Sequence, residues 1–133
     1  MRRRSAKRRF GVSIPEDLAK HLDILVERLG TNRSKIICEA LEKYIYDYLH
    51  YMSSRQCCGI IAITGLVSSG ELMRIIEENR DIVYDYSHTH AGGVCVNTII
   101  VSGPSSKITE LHKKLLSLPK CGVKYIPIGA DFQ

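Results

Sequence analysis

Two histidines and a cysteine near residue 90 carry side chains that bind transition metals. His88 and His90 are separated by one residue, so in a β-strand both side chains point to the same face. Gly92-Gly93 suits a two-residue hairpin turn, and counting outward from it pairs His90 with Cys95. This register predicts a thiol opposite one histidine and beside the other. Two imidazoles and a thiolate on one face form a partial coordination shell for nickel, copper, cobalt or zinc.

The same three residues have two other interpretations. The histidines can be partly exposed strand residues, with Cys95 as a small buried hydrophobe. Alternatively, Cys95 and His90 can be the nucleophile and base of an enzyme. The chain supplies no orienting third group, no oxyanion loop, no P-loop and no nucleotide-binding glycine pattern for such chemistry. We therefore expect a protein that is not an enzyme.

The amino-terminal residues combine positive charge with strand-like alternation. Residues 1–9 contain six basic residues and no acid, whereas basic and acidic residues nearly balance over the rest of the chain. A basic arm of this kind is typical of phosphate binding, although a tail that keeps the protein soluble has the same composition. Residues 9–14 then alternate along a predicted strand. One face of that strand is apolar, with Phe10, Val12 and Ile14, and the other carries Arg9, Gly11 and Ser13.

A single strand cannot be stable in water, because its backbone groups and apolar face need a partner. No second strand lies nearby in sequence, so we predict a homodimer in which two copies of the strand pair. Such a ribbon fits the major groove of double-stranded DNA. Arg9 can bind guanine O6 and N7, and Ser13 can hydrogen-bond to several bases. Gly11 offers no side chain, which allows a close approach to DNA or weakens recognition.

Helical periodicity begins after the strand. Pro15 opens a first helix that ends at Gly30, and a second helix with a broad apolar face runs to Met52. Asn32 or Ser34 can cap this second helix. Its free amides and positive dipole end favour a phosphate. The residues at this helix start are therefore expected to anchor DNA rather than to specify sequence, and they are Asn32, Arg33 and Ser34.

A second pattern of elements follows a boundary at Ser53–Gln56. Strands are predicted at 57–64, 82–90, 94–101 and 123–128, with helices at 71–79 and 106–118. The order β-α-β-β-α-β is the split ferredoxin-like pattern, so the fold class is α+β. Helices should cover one face of the sheet and leave the other for a partner. The predicted domains are residues 1–52 and 58–133, joined by a linker at 53–57.

These segments together resemble the nickel-responsive regulator family, NikR, from about Arg8 to Ile128. The similarity is carried by residues 9–14, Asn32-Arg33-Ser34, Asp81-Ile82-Val83, and His88-Thr89-His90 with Cys95. It implies a ribbon-helix-helix DNA-binding domain, an ACT-like regulatory module and a homotetramer that acts as a metal-responsive repressor. In the family, the matching His, His and Cys bind nickel together with a histidine from a neighbouring subunit.

The chain departs from the family at two places. The spacing from His90 to Cys95 is one residue shorter, and Glu77 occupies the position of the cross-subunit histidine. A carboxylate is a harder ligand than imidazole, so geometry, affinity and metal preference can all differ.

An alternative is a ribbon-helix-helix regulator whose ACT-like module senses a small molecule such as an amino acid, with Gly65–Gly70 lining the pocket. A toxin-binding antitoxin is disfavoured, because the chain ends in a regular fold. The odd number of cysteines and the lack of a signal peptide predict a cytoplasmic protein. No apolar run is long enough to cross a membrane.

Overall fold

The computed structural model describes residues 6–52 and 54–128. It divides into two compact units, residues 1–41 and 42–133. Three arginines of the basic arm lie outside the described residues, as do Ser53 of the predicted linker and residues 129–133. The domain limits at residues 52 and 58 remain predictions. Within the described part of the chain, no helix has the length and apolar character needed to span a membrane.

Helix α1 (Glu16–Leu29) begins directly after Pro15 and carries two acidic residues in its first turn. Proline is favoured at a helix start, and acids there interact favourably with the positive end of the helix dipole. Gly30 ends the helix with a φ of 62°, and its N–H donates to the carbonyl oxygen of Glu27 at 3.3 Å. This left-handed conformation is the usual one for a terminating glycine. The predicted first helix is confirmed.

Helix α2 (Arg33–Asp47) follows after a short turn. The side-chain oxygen of Asn32 accepts a hydrogen bond from the backbone N–H of Lys35 at 2.9 Å. This bond satisfies one of the free amides at the helix start. Of the two predicted caps, Asn32 therefore makes the capping bond and Ser34 does not. The helix is also shorter than the predicted span to Met52, since a separate turn of 3-10 helix covers Leu49–Tyr51.

The segment before α1 has neither helical nor strand structure over residues 6–15. The strand expected at residues 9–14 is thus absent from the single chain, because a strand requires hydrogen bonds to a neighbour. Phe10 is 76% exposed and Val12 is 71% exposed. No residue between 6 and 41 is buried. Most apolar side chains of this unit are therefore exposed within the single chain, and the others, such as Leu22 and Val26, are only half-buried.

The second unit contains the predicted β-α-β-β-α-β order. Its elements are β1 (Gln56–Gly65), α3 (Ser69–Glu78), β2 (Val83–Ala91), β3 (Val94–Pro104), α4 (Ser105–Leu116) and β4 (Cys121–Pro127). The four strands form one antiparallel sheet in the order β2-β3-β1-β4. This topology confirms the ferredoxin-like prediction and the α+β class.

The core of this unit lies between the sheet and the two helices. Alternate residues of β1 and β3 point inward, and Ile61, Ile63 and Ile99 have no exposed surface. From the helices, Leu72 and Leu111 pack into the same cluster. The period of two in the strands and the apolar faces of the helices explain this arrangement. The unit is therefore stabilised by a core of its own.

The opposite face of the sheet carries a row of isoleucines. Ile60 on the central strand β1 pairs with Ile100 of β3 on one side and with Ile126 of β4 on the other. Both outer members are exposed within the single chain. An apolar row on an open sheet face is typical of an assembly surface.

Two histidines pack against each other inside this unit. His50, 4% exposed, lies in the 3-10 turn, and His112, 1% exposed, lies on α4. His50 Nε2 is 2.9 Å from His112 Nδ1. The Tyr125 ring contacts His50 at a centroid distance of 4.3 Å. Burial, with the charge of His112 as a second cause, lowers the pKa of His50 to about 4, and burial also lowers the pKa of His112.

This histidine pair predicts a loss of stability in mild acid. Unfolded histidine takes up a proton near pH 6.5, whereas folded His50 does so only near its pKa of about 4. The unfolded chain therefore binds more protons between these values, and the free energy of unfolding should fall by up to about 3 kcal/mol as the pH drops through this window. Urea unfolding at fixed protein concentration measures the change.

His50→Gln keeps a hydrogen-bonding side chain but does not titrate, so it should reduce this pH dependence. His21→Gln alters an exposed histidine of α1 and serves as the matched control. An equal slope in wild type and His50→Gln would contradict the role assigned to the buried pair.

Candidate functional site

The β2–β3 hairpin brings the two histidines and the cysteine together. Gly92 and Gly93 form its turn with φ values of 56° and 78°, a region that glycine enters at no steric cost. His90 pairs directly with Cys95 across the ladder. The register predicted from the two glycines is therefore confirmed.

Three ligand atoms converge at this end of the hairpin. One donor atom from each of His88, His90 and Cys95 lies within 4.8 Å of the others. The Nε2 atoms of the two histidines are 3.1 Å apart, and Cys95 Sγ is 3.5 Å from His88 Nε2. Both separations are short enough for one ion, because metal–nitrogen bonds are about 2.0 Å and metal–sulfur bonds about 2.3 Å. Within residues 6–52 and 54–128, no other set of three such residues meets this criterion.

The donor set fits a transition metal. Both histidines are exposed at the hairpin end and Cys95 is half-buried, so an ion can reach them from solvent. Imidazole and thiolate together suit nickel, copper, cobalt and zinc rather than magnesium or calcium, which prefer oxygen ligands. The three side chains leave at least one coordination position for a further ligand.

Asn97 lies directly beneath this cluster and was not identified from the sequence. It is 1% exposed, on the same face of β3 as Cys95. Its side-chain oxygen is 2.7 Å from the Tyr86 hydroxyl and 2.7 Å from His88 Nδ1. Burial raises the pKa of the Tyr86 phenol, with the nearby Cys95 as a second cause, so this hydroxyl keeps its proton and donates. The available sequence signal is a polar side chain among apolar strand residues, two positions after Cys95.

Glu77 lies elsewhere in the chain, near the end of α3. Its carboxylate oxygens accept hydrogen bonds from Arg80 at 2.6 and 3.1 Å. This contact lowers the pKa of Glu77 and keeps the carboxylate charged. The structure does not bring Glu77 to the three-residue cluster of its own chain, and its assignment as a ligand donated by a neighbouring subunit stays a prediction.

The predicted DNA-contacting residues are all exposed. Arg9, Gly11 and Ser13 are exposed in the segment before α1. A Cβ atom on Gly11 would meet nothing within 4 Å, so no contact inside the chain requires a glycine there. Asn32 is exposed and makes the capping bond to Lys35, and Ser34 is also exposed.

Arg33 makes an ion pair that was not predicted from the sequence. Its guanidinium donates to both carboxylate oxygens of Asp23 at 2.6 and 2.7 Å, linking the start of α2 to α1. The hydrogen bonds from Arg33 lower the pKa of Asp23. Because both side chains are exposed, the pair contributes little stability. A phosphate at this helix start would share Arg33 with Asp23.

The chain is similar to a known domain family and to proteins named as regulators. A family profile described as a ribbon-helix-helix domain matches residues 6–49. A protein of Pyrococcus furiosus, provisionally named a nickel-responsive regulator, is 30% identical over 126 residues and covers 88% of each chain. A protein of Methanosarcina acetivorans with a name of the same kind is 32% identical over 124 residues, which are 88% of this chain and 87% of the other.

One solved structure shares the fold of part of this chain. An uncharacterised protein from Thermotoga maritima aligns over 56% of this chain and 100% of its own, with a TM-score of 0.50 and 11% identity. An ACT domain from the GTP pyrophosphokinase of Chlorobium tepidum aligns over 54% of this chain and 100% of its own, at a TM-score of 0.41 and 16% identity.

The convergence of three donors predicts one metal-binding site per chain. Equilibrium dialysis against Ni(II), followed by elemental analysis, should give one ion per wild-type chain. Cys95→Ala should weaken binding by at least about 10–100-fold, because even indirect changes to a metal site cost this much. Cys121→Ala removes a half-buried thiol outside the cluster and is the matched control. Unchanged affinity in Cys95→Ala would contradict the site.

Proposed function

The chain belongs to the nickel-responsive regulator family, and we propose that it is a transcriptional repressor whose operator affinity depends on a bound transition metal, nickel in the first place. Its relatives are named as regulators and this chain carries a ribbon-helix-helix domain, so the protein is a DNA-binding regulator rather than an enzyme.

The observation that carries the metal proposal is the convergence of His88, His90 and Cys95 within 4.8 Å. When bound, a nickel ion would supply positive charge and a fixed coordination geometry at the end of the hairpin. The imidazoles and the thiolate would hold it, and a neighbouring subunit would complete the shell, with Glu77 as the candidate donor. Copper, cobalt and zinc accept the same ligand types and are the competing ions.

The DNA proposal is supported by the arrangement of the amino-terminal unit. Most of its apolar side chains are exposed in one chain, and pairing two copies of residues 9–14 would complete the ribbon and give its apolar face a partner. The alternate side chains, Arg9, Gly11 and Ser13, would then face the major groove. Asn32, Arg33 and Ser34 would hold the backbone at the start of α2.

A metal can regulate DNA binding only if it favours one arrangement of the protein over another. We propose a homotetramer in which two amino-terminal dimers flank a core of carboxy-terminal units. The open sheet face, with its row of Ile60, Ile100 and Ile126, supports such an assembly. Metal bound between subunits of this core would shift the population toward the DNA-binding arrangement.

A second candidate is regulation by a small molecule such as an amino acid. It is favoured by the contact between Glu77 and Arg80, since this contact occupies the carboxylate proposed as fourth ligand. Thermal-shift measurements separate the two, because a ligand that binds the folded state raises the melting temperature. A rise with Ni(II) supports the metal proposal. A rise with an amino acid and none with Ni(II) would replace it.

Arg9 is expected to carry sequence recognition. The operator of the protein can be selected from a random DNA pool with and without Ni(II). The affinity of the protein for the selected DNA is then measured by fluorescence anisotropy. Arg9→Ala should lose roughly 1–3 kcal/mol of binding to the selected site, the value of a bidentate contact to guanine, and much less on unrelated DNA. Tighter binding of wild type with Ni(II) is the expected metal effect.

Lys20→Ala is the matched control for charge, since Lys20 is exposed on α1 and is not among the predicted DNA contacts. It should weaken binding to selected and unrelated DNA alike, or leave both unchanged. Equal losses for Arg9→Ala on the two DNAs would contradict base recognition by Arg9. Operator affinity that is indifferent to Ni(II) would contradict metal regulation.

A further inference from the structure

Asn97 is a polar residue in a position that its strand otherwise fills with apolar side chains. Its neighbours on the inward face of β3 are Ile99 and Val101, and both are fully buried. A buried amide must satisfy its hydrogen bonds inside the protein, and an unsatisfied one costs about 1–3 kcal/mol. The partners of Asn97 therefore indicate why an amide is tolerated there.

The amide oxygen of Asn97 has two contacts, and both partners must donate. The Tyr86 hydroxyl and His88 Nδ1 each lie 2.7 Å from this oxygen. A carbonyl oxygen only accepts hydrogen bonds, so Nδ1 of His88 carries the proton. In the neutral ring, Nε2 then holds the free lone pair.

That lone pair lies among the other metal-binding atoms. His88 Nε2 is 3.1 Å from His90 Nε2 and 3.5 Å from Cys95 Sγ. The sulfur is also 3.6 Å from His88 Nδ1, but the Asn97 oxygen is much closer to this nitrogen and is the better acceptor. The other half of the amide faces Cys95, with Nδ2 at 3.7 Å from Sγ.

We propose that Asn97 is a positioning residue for the metal site, which fixes His88 in the tautomer whose Nε2 binds the ion and directs an amide N–H toward Cys95 Sγ. The inference rests on the proposed metal-binding function and adds a residue that does not itself touch the ion. Hydrogen bonds of this kind orient ligands and typically change metal affinity by about 10–100-fold.

Tyr86 completes the contact by fixing Asn97. Its hydroxyl donates to the amide oxygen, and this donation orients the amide so that oxygen faces His88 and nitrogen faces Cys95. Without it, the amide can rotate and present its N–H₂ group to His88 Nδ1, which would then have to accept. The tautomer of His88 is therefore expected to depend on Tyr86 as well.

The first measurement uses the full-length, metal-free protein labelled with ¹⁵N-histidine. Long-range ¹H–¹⁵N spectra, recorded above the pH range in which histidine titrates, distinguish a protonated ring nitrogen from one with a free lone pair. Wild type should show protonated Nδ1 for His88. Asn97→Leu should lose this preference, because leucine has no oxygen that accepts a hydrogen bond from His88 Nδ1. Asn97→Asp keeps an acceptor oxygen and should retain it.

The second measurement is Ni(II) affinity by competition with a chelator. Asn97→Leu should bind about 10–100-fold more weakly, and Tyr86→Phe should show a smaller loss in the same direction. Thr98→Val changes the adjacent residue on the other face of β3 and is the matched control for the strand. Metal-free thermal unfolding reports any loss of folding separately.

The outcomes separate this inference from the proposed function. A proton on Nε2 of wild-type His88 would overturn the role of Asn97. So would a folded Asn97→Leu protein in which the His88 tautomer and the Ni(II) affinity are unchanged. A different result is also possible: wild type binds no Ni(II), but the His88 tautomer still changes in Asn97→Leu. This result would overturn the nickel proposal and support the positioning of His88 by Asn97.

Discussion

The amino-terminal unit depends on apolar side chains that its own chain leaves mostly exposed. No residue between 6 and 41 is buried, and Phe10, Val12 and Ile14 are exposed, as are Leu29 of α1 and Leu41 of α2. Full burial of one large apolar side chain contributes roughly 1.5–3 kcal/mol, so covering several of them equals much of the stability of a small domain, about 5–15 kcal/mol. Folding of this unit and association with a second chain are thus expected to be one event. The proposed DNA surface follows from the same constraint, because burying one face of the strand leaves the other outward.

The carboxy-terminal unit, in contrast, buries many of its apolar side chains within a single chain. It has its own core between the sheet and two helices, and its candidate metal site lies on one hairpin of that sheet. A rigid hairpin suits this task, since metal ligands must be held within a fraction of an ångström. The buried Asn97 ties one ligand to the sheet and contacts another, so the site is supported by the interior of the unit rather than by its surface. In the proposed tetramer, the amino-terminal unit would pair two chains, and the carboxy-terminal unit would carry both the metal site and a second assembly surface.

The sequence predicted features that depend on local patterns and missed those that depend on tertiary contacts. The pairing of His90 with Cys95 followed from two glycines, and the β-α-β-β-α-β order followed from hydrophobic periodicity. The contact between His50 and His112 joins residues that are far apart in sequence, and no local pattern signals it. The pair of Arg33 and Asp23 also depends on how two helices meet. The strand at residues 9–14 is a different case, because its hydrogen-bonding partner would belong to a second chain.

Hydrogen exchange of the backbone amides of residues 10–14, followed across a dilution series, tests the claim of a shared amino-terminal core most directly. We predict that these amides exchange slowly while the protein is associated. On dilution, the protection of the amides and the sedimentation of the protein as an oligomer should be lost at the same concentration. A monomer at every concentration would contradict the claim. So would an oligomer in which these amides exchange as fast as those of an unfolded peptide.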